Sequence, residues 1–254
     1  MCGLIGFVGT QSPIKIAKSL ILAGMVRGVD AAGYCEIDDN GKYHIEKRAE
    51  HPIQFSEHMK GYALDRPVTW LGHTRKSTCG GDDDNAAHPF NGQRFILFHN
   101  GYLVKSDWEM VEKTFDLKAP NGVDSELFVE FLNKFGNIEA MKFLLLPLLG
   151  PNSRFMFVIY DKFERKIHFI KDSEQPFVYR LTDKGLFYAS TPAILQAGID
   201  SRYMTFDNIL KYPVVEFPAD GHIVADARTG KIESVGKCIK NIVFNSAMRY
   251  KTAV

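Results

Sequence analysis

The chain has 254 residues, of which 45% are hydrophobic and 24% charged, enough for a substantial core in one large domain or two small ones. Lys and Arg number 31 against 30 Asp and Glu, a net charge of +1. No block of basic residues stands out, so nothing points to a nucleic-acid partner. No apolar run is long enough to cross a bilayer, and the opening Met-Cys-Gly-Leu-Ile-Gly lacks the basic start and long apolar stretch of a secretory signal. A cytoplasmic protein with no membrane partner is expected.

In chain order, Cys2 to Gly9 reads as a short buried strand. Ser12-Pro13 reads as a helix N-cap followed by proline at the first helical position, and Ile14, Ala17, Ile21 and Met25 follow at helical spacing, with Gly28 as a stop. Trp70 to Thr74 and Phe95 to His99 read as strands, the second leading into Asn100-Gly101, a turn signal. Val123 to Phe135 and Ile138 to Leu146 read as helices. Arg154 to Asp161 and Lys166 to Lys171 alternate as paired strands around a Lys-Phe-Glu-Arg turn. Phe177 to Leu181, Gly185 to Ser190, Val214 to Phe217 and His222 to Asp226 continue the strand series, and Thr191-Pro192 opens a short helix. Runs of strands with grouped helices imply an α+β layered protein. Nothing marks a domain boundary, so one domain over 1–254 is expected.

The four cysteines, Cys2, Cys35, Cys79 and Cys238, are widely spaced. With no signal peptide they are expected to be free thiols in a reducing compartment, and with no Cys-x-x-Cys pair no structural zinc is expected. Cys2 is the residue of most interest. A small residue at the second position permits removal of the initiator methionine, and an N-terminal Cys2 would carry an α-amine whose ordinary pKa of about 7.7–8.0 lets it act as base for its own thiol. Taken alone, Met-Cys-Gly is more simply a small apolar start. Asn100-Gly101 alone is most simply a hairpin turn, Arg75 a surface ion-pair partner, and Asp124 a helix cap or first-turn acid.

Five segments taken in order change that balance. They are Cys2-Gly3-Leu4-Ile5-Gly6, then Arg27-Gly28-Val29-Asp30-Ala31-Ala32-Gly33, then Gly72-His73-Thr74-Arg75-Lys76-Ser77-Thr78 followed by Asn85-Ala86-Ala87-His88-Pro89, then His99-Asn100-Gly101, and last Asp124-Ser125-Glu126. In order and rough spacing they resemble the class II glutamine amidotransferases, an N-terminal-nucleophile hydrolase family. The nearest likeness is to the glutaminase domain of glucosamine-phosphate synthase and its relatives. Ala189-Ser190-Thr191-Pro192 is similar to a later strand–helix junction of that family.

The resemblance implies a four-layer αββα sandwich of two mostly antiparallel sheets. It implies Cys2 as nucleophile, with the Asn100 side-chain amide and the Gly101 N–H as oxyanion donors. Arg75 is expected to take the α-carboxylate of glutamine and Asp124 its α-ammonium. Thr78 and the backbone near His88 are expected to line the pocket. Arg27 and Asp30 are expected to brace the first strand, with His73 as structural support. Hydrolysis would yield glutamate and ammonia with no metal and no organic cofactor, the ammonia passing to a separate synthase, since no fused synthetase domain is recognisable. A stand-alone amidohydrolase acting on another γ-glutamyl amide, or a catalytically silent binding module, are the alternatives.

The chain departs from the family in three places. Asn-Ala-Ala-His-Pro has one residue more than the usual Asn-Ala-His-Pro, Lys76 stands where relatives usually carry an aromatic residue, and Cys79 stands where His or Thr is common. Asp82-Asp83-Asp84 reads as a solvated acidic loop.

Overall fold

A computed structural model describes residues 2–78, 80–199 and 210–238. The strands are β1 (Gly3–Val8), β2 (Ala31–Asp38), β3 (Tyr43–Arg48), β4 (Pro67–Arg75), β5 (Phe90–Asn91), β6 (Phe95–Tyr102), β7 (Arg154–Asp161), β8 (Lys166–Lys171), β9 (Val178–Thr182), β10 (Gly185–Ala189), β11 (Val215–Glu216), β12 (Gly221–Asp226) and β13 (Ile232–Lys237). The helices are α1 (Ile14–Gly24), α2 (Pro52–His58), α3 (Lys105–Phe115), α4 (Asp124–Phe135), α5 (Ile138–Ala140) and α6 (Pro192–Gly198). After α5 the chain continues through a π turn at Met141–Leu145 and a 3-10 turn at Leu146–Leu148.

The strands form two sheets, ordered β11-β9-β10-β1-β4-β2-β3 and β13-β12-β8-β7-β6-β5, and the pairing is antiparallel throughout the described residues. Side chains on a strand alternate between faces, and here both faces are apolar. On the outer face of the first sheet, Ile5, Phe7, Tyr34 and Trp70 pack against Ile16, Leu20 and Ile21 of α1, Phe55 of α2 and Leu195 of α6. On its inner face, Leu4, Val8 and Leu71 meet Ile96, Phe98, Met156 and Val158 of the second sheet. The outer face of the second sheet, with Leu97, Phe155 and Phe157, is covered by Val111 of α3 and by Leu127, Phe128 and Phe131 of α4. Three cores between four layers make the αββα sandwich that the sequence resemblance implies.

Several local readings shift. Helix α1 begins at Ile14 with Pro13 at its cap, and the Ser12 hydroxyl makes no capping bond. It ends at Gly24, four residues before Gly28, and two turn bonds, Arg27 N–H to Gly24 and Gly28 N–H to Met25, carry the chain on. Asn100-Gly101 is no turn: β6 runs straight through it to Tyr102. Strands β2, β3 and β13 and helices α2 and α3 carry little sequence signal. Strand β2, Ala-Ala-Gly-Tyr-Cys-Glu-Ile-Asp, is almost wholly buried, so its polar and small residues show no alternation. The β7–β8 hairpin and the Thr191 cap of α6, whose hydroxyl accepts from Ile194 N–H at 3.3 Å, are as read from sequence.

One buried hydroxyl ties the two sheets. Thr69 of β4 donates to Ala227 O at 2.6 Å, just beyond β12, and accepts from Gly9 N–H at 3.0 Å, just beyond β1. Thr69→Val keeps the shape and strands both backbone partners. A loss of about 1–3 kcal/mol of unfolding free energy is expected, read from the urea midpoint at unchanged m-value.

Candidate active site

Cys2 precedes β1, and β1 lies between β10 and β4. Leu4 faces the inner core, so Cys2, two residues earlier, points the same way. The register Gly3↔Thr74 and Leu4↔His73 sets Arg75 across from Cys2, and Leu71, His73 and Arg75 share the inner face of β4. From the second sheet, Phe98 and Asn100 share the inner face of β6. Strand alternation alone thus aims a thiol, a guanidinium and a carboxamide at one end of the gap between the sheets.

Cys2, Arg75, Thr78, His88, Gly101 and Asp124 line one small pocket. The Cys2 Sγ accepts from the Lys76 N–H at 3.4 Å and sits 3.6 Å from the Lys76 carbonyl. Burial pushes its thiol up, with the Lys76 N–H and the Arg75 charge acting against that. Arg75 is buried at the end of β4, and its Nη1 donates to Gly81 O at 3.1 Å and lies 3.8 Å from the Asp82 carboxylate. Asn100 is 1% exposed and its Nδ2 has no hydrogen-bond partner among the described residues, a donor without an acceptor in a buried place.

Gly101 lies opposite Phe155, whose N–H and C=O both engage Asp172 on the far side of β7. A non-hydrogen-bonded antiparallel pair points both residues' polar groups outward, so the Gly101 N–H faces the other edge of β6. Strand β5 pairs only with Leu97 and Ile96, so it leaves that edge open. Only glycine fits here: φ is +155°, and a Cβ would sit 2.0 Å from Arg154 O.

Arg27, Asp30 and His73 stand behind the cavity. Arg27 Nε donates to Cys2 O at 2.7 Å. Asp30 accepts from Ser77 N–H at 2.7 Å and pairs with Lys76 Nζ at 3.2 Å, and the Ser77 bond is the main cause of its lowered pKa. Its own N–H donates to Arg75 O at 3.0 Å. The segment that carries the Cys2 contact is therefore bolted to the Arg27–Asp30 loop. Gly28 lets the two strands of backbone meet, since a Cβ there would lie 2.4 Å from the Arg75 carbonyl carbon.

The three histidines cluster without a metal-ligand arrangement. His73 lies 4.1 Å from His88 between ring centres with the planes tilted by 36°, and its Nε2 donates to the backbone carbonyl of His99 at 3.1 Å. The His88–Pro89 bond is cis. Burial pushes His73 down to about 3 and His88 well below its usual value. Asp124 opens α4 and is not its cap; Glu126 reaches back to the N–H groups of Asn121 at 2.9 Å and Val123 at 3.4 Å. Although burial raises it, the Asp124 carboxyl is held below the usual range by His99 and by bonds from Leu103 N–H and Ser125 Oγ.

Sequence reasoning missed Ser125, which joins His88, His99 and Asp124 at 3.0, 3.0 and 3.3 Å. Its only signal was its place inside Asp-Ser-Glu. The acidic run is also more than solvated: Asp83 caps the 3-10 turn at Asp84–Ala86, and Asp84 accepts from Ala49 N–H at 2.7 Å. The added alanine is absorbed there, with Ala86 and Ala87 both fully buried. Cys79 lies outside the described residues, and among these Cys2, Cys35 and Cys238 are free thiols. No helix among the described residues is long and apolar enough to cross a membrane.

The fold is shared with solved amidotransferases. The chain superposes on glutamine phosphoribosylpyrophosphate amidotransferase from B. subtilis with a TM-score of 0.72, at 15% identity over 94% of this chain and 50% of that one. It superposes on a glutamine aminotransferase class-II domain protein from Silicibacter pomeroyi with a TM-score of 0.55, at 13% identity over 94% of this chain and 100% of that one. No family profile matches. By sequence the chain is 24% identical over 220 residues to the glutamine–fructose-6-phosphate aminotransferase (isomerizing) of Francisella tularensis, covering 84% of this chain and 33% of that protein. It is 28% identical over 231 residues to the Fusobacterium nucleatum enzyme of the same name, covering 84% and 37%, and 31% identical over 137 residues to that of Streptomyces coelicolor, covering 52% and 22%. The chain is thus similar in sequence to these aminotransferases and in fold to solved glutamine amidotransferases, and it spans about a third of the length of the curated relatives it matches.

The buried histidines make stability depend on acid. Below about pH 6.5 the unfolded chain binds a proton at position 73 that the folded chain refuses until about pH 3, so stability falls with pH across that window. Each such histidine contributes at most about 1.4 kcal/mol per pH unit. His73→Gln keeps a donor for His99 O and cannot titrate. It is expected to lower the proton uptake on unfolding by about one between pH 4 and 6, measured from urea midpoints against pH.

Proposed function

We propose that the protein hydrolyses the side-chain amide of L-glutamine to glutamate and ammonia, with Cys2 as the nucleophile once residue 1 has been removed, and that the ammonia passes to a separate synthase. The observation that carries this reading is the convergence of Cys2, Arg75, Asp124 and Gly101 on one cavity. A zwitterion with a distal amide needs one cation, one anion and an oxyanion site beside the nucleophile, and these residues supply that set. Arg75 takes the α-carboxylate, displacing its contact with Asp82, and Asp124 takes the α-ammonium. Thr78 and the His88 segment form walls. Arg27, Asp30 and His73 hold the framework, as their contacts behind the cavity support.

Burial favours the Cys2 thiol over the thiolate, so attack requires a base. The freed α-amine fills that role: it takes the thiol proton, and the sulfur attacks the amide carbon. The carbonyl oxygen becomes an oxyanion, accepting from Asn100 Nδ2 and the Gly101 N–H. The buried, unpartnered Asn100 donor and the open edge of β6 both favour this assignment. The α-ammonium returns its proton to the leaving nitrogen as the C–N bond breaks, releasing ammonia. Water then adds to the γ-glutamyl thioester, giving its proton to the amine, and glutamate leaves as the thiol re-forms. The chemistry is that of proton and acyl transfer and calls for no cofactor. The free thiols at Cys2, Cys35 and Cys238 are in keeping with a cytoplasmic setting.

Intact mass spectrometry before and after treatment with a diazoketone glutamine analogue tests the nucleophile. Loss of Met1 and one adduct mapped to Cys2 are expected; Met1 retained in a processing host, with no adduct, would sink the reading. Asn100→Ala is expected to lower kcat for glutamine by about 10²–10³ with a small change in KM. Wild-type turnover in that variant would remove Asn100 from the oxyanion site.

A further inference from the structure

Ser125 sits where four groups meet, and its hydroxyl has one hydrogen and two lone pairs to give. Its oxygen lies 3.0 Å from His88 Nε2, 3.0 Å from His99 Nδ1 and 3.3 Å from Asp124 Oδ1. An ionised carboxylate only accepts, so the hydroxyl hydrogen goes to Asp124. With its hydrogen given to Asp124, the oxygen can only accept from the rings, so His88 Nε2 and His99 Nδ1 are its donors; the other His99 nitrogen, Nε2, lies 3.5 Å from Arg154 O. The remaining ring nitrogen of His88, Nδ1, is buried without a partner, as a lone pair with no donor beside it would be. His73 packs at a tilt against the His88 ring and donates to the His99 main chain, while the His99 ring stacks on Phe157.

This cluster is not needed to start α4. Glu126 already meets the N–H groups of Asn121 and Val123 at that end. Asp124 and Ser125 instead turn their side chains to the cavity that Cys2 lines. Asp124 Oδ2 accepts from Leu103 N–H at 3.0 Å and Oδ1 accepts from Ser125. His99 Nδ1 also lies 3.6 Å from Oδ1, so Oδ2 is the oxygen with a lone pair to spare for a ligand. A donor chain in a low-dielectric surrounding polarises along its length, and this one ends on the carboxylate.

Building on the glutaminase reading above, we propose that Ser125, loaded by the His88 and His99 N–H groups, is a positioning residue that aims the Asp124 carboxylate at the substrate's α-ammonium and so sets selectivity for an α-amino amide. It acts through Asp124 and touches none of the reacting atoms.

The test compares L-glutamine with its des-amino analogue, 5-amino-5-oxopentanoate, in the wild type and in Ser125→Ala, Ser125→Cys and Ser125→Thr. Ser125→Ala is expected to raise KM for glutamine about tenfold with kcat changed less than about threefold, the size of effect one charge-assisted hydrogen bond gives. Its kcat/KM for the des-amino amide is expected to stay as in the wild type, so the preference for glutamine falls about tenfold. Ser125→Thr keeps the hydroxyl and is expected to keep the preference. Ser125→Cys, a weaker donor of similar size, is expected to move in the direction of alanine and serves if Ser125→Ala does not fold. Equal losses on both substrates, or a fall in kcat alone, would overturn the proposal and leave Ser125 a structural residue in a working glutaminase. A wild type that neither hydrolyses glutamine nor takes the diazoketone label would overturn the glutaminase reading itself, and this proposal with it.

Discussion

Strand β1 is paired on both sides, with β10 and with β4, and Cys2 stands immediately before its first residue. A side chain just outside a strand would ordinarily be loosely held. Here the pairing of Gly3 with Thr74, the Arg27 bond to the Cys2 carbonyl and the Lys76 N–H at the sulfur hold it from three directions. Each of those contacts comes from the loop–strand framework of the first sheet. The orientation of Arg75, the course of the 76–78 segment and the seat of the Asp30 carboxylate all follow from it.

The second sheet contributes the complementary half. Strand β6 carries Asn100 and Gly101 past the point where β5 stops, which leaves polar groups unclaimed by the ladder. The opening of α4 brings Asp124. Charged groups in such surroundings interact strongly and reorganise little, so their placement by two stacked sheets matters more than their number. The inner core of Leu4, Leu71, Phe98 and Met156 fixes the spacing between the sheets. The geometry across the gap is as rigid as that packing.

Much of this was legible in residue order, and the limits were physical. Hairpin β7–β8 announces itself as two apolar runs of strand length around a polar turn, and helix α4 by apolar residues at helical spacing between Asp124 and Gly136. Strand β2 does not, because both of its faces are buried and its residues are chosen for close approach. Asn100-Gly101 misled as a turn signal for a related reason. The dipeptide suits a turn through the conformational freedom of glycine, and here that freedom serves a strand whose neighbour leaves no room for a Cβ. Of the site residues, Cys2, Arg75 and Asp124 could be named from motif order. The links among His73, His88, His99 and Ser125 could not, since residues 73 and 125 meet only once two sheets and a helix have packed. The acidic run at 82–84 was opaque for the same reason, its partners being a backbone N–H at Ala49 and a turn of its own.

The bond to the Cys2 sulfur is made by the main chain of Lys76, not by its side chain. Any residue with a backbone N–H could make it, and so the identity of position 76 is uncoupled from the chemistry at the sulfur. The side chain there instead reaches outward to Asp30. A different side chain at position 76 would therefore change the lining of the cavity while leaving the donor to the Cys2 sulfur in place.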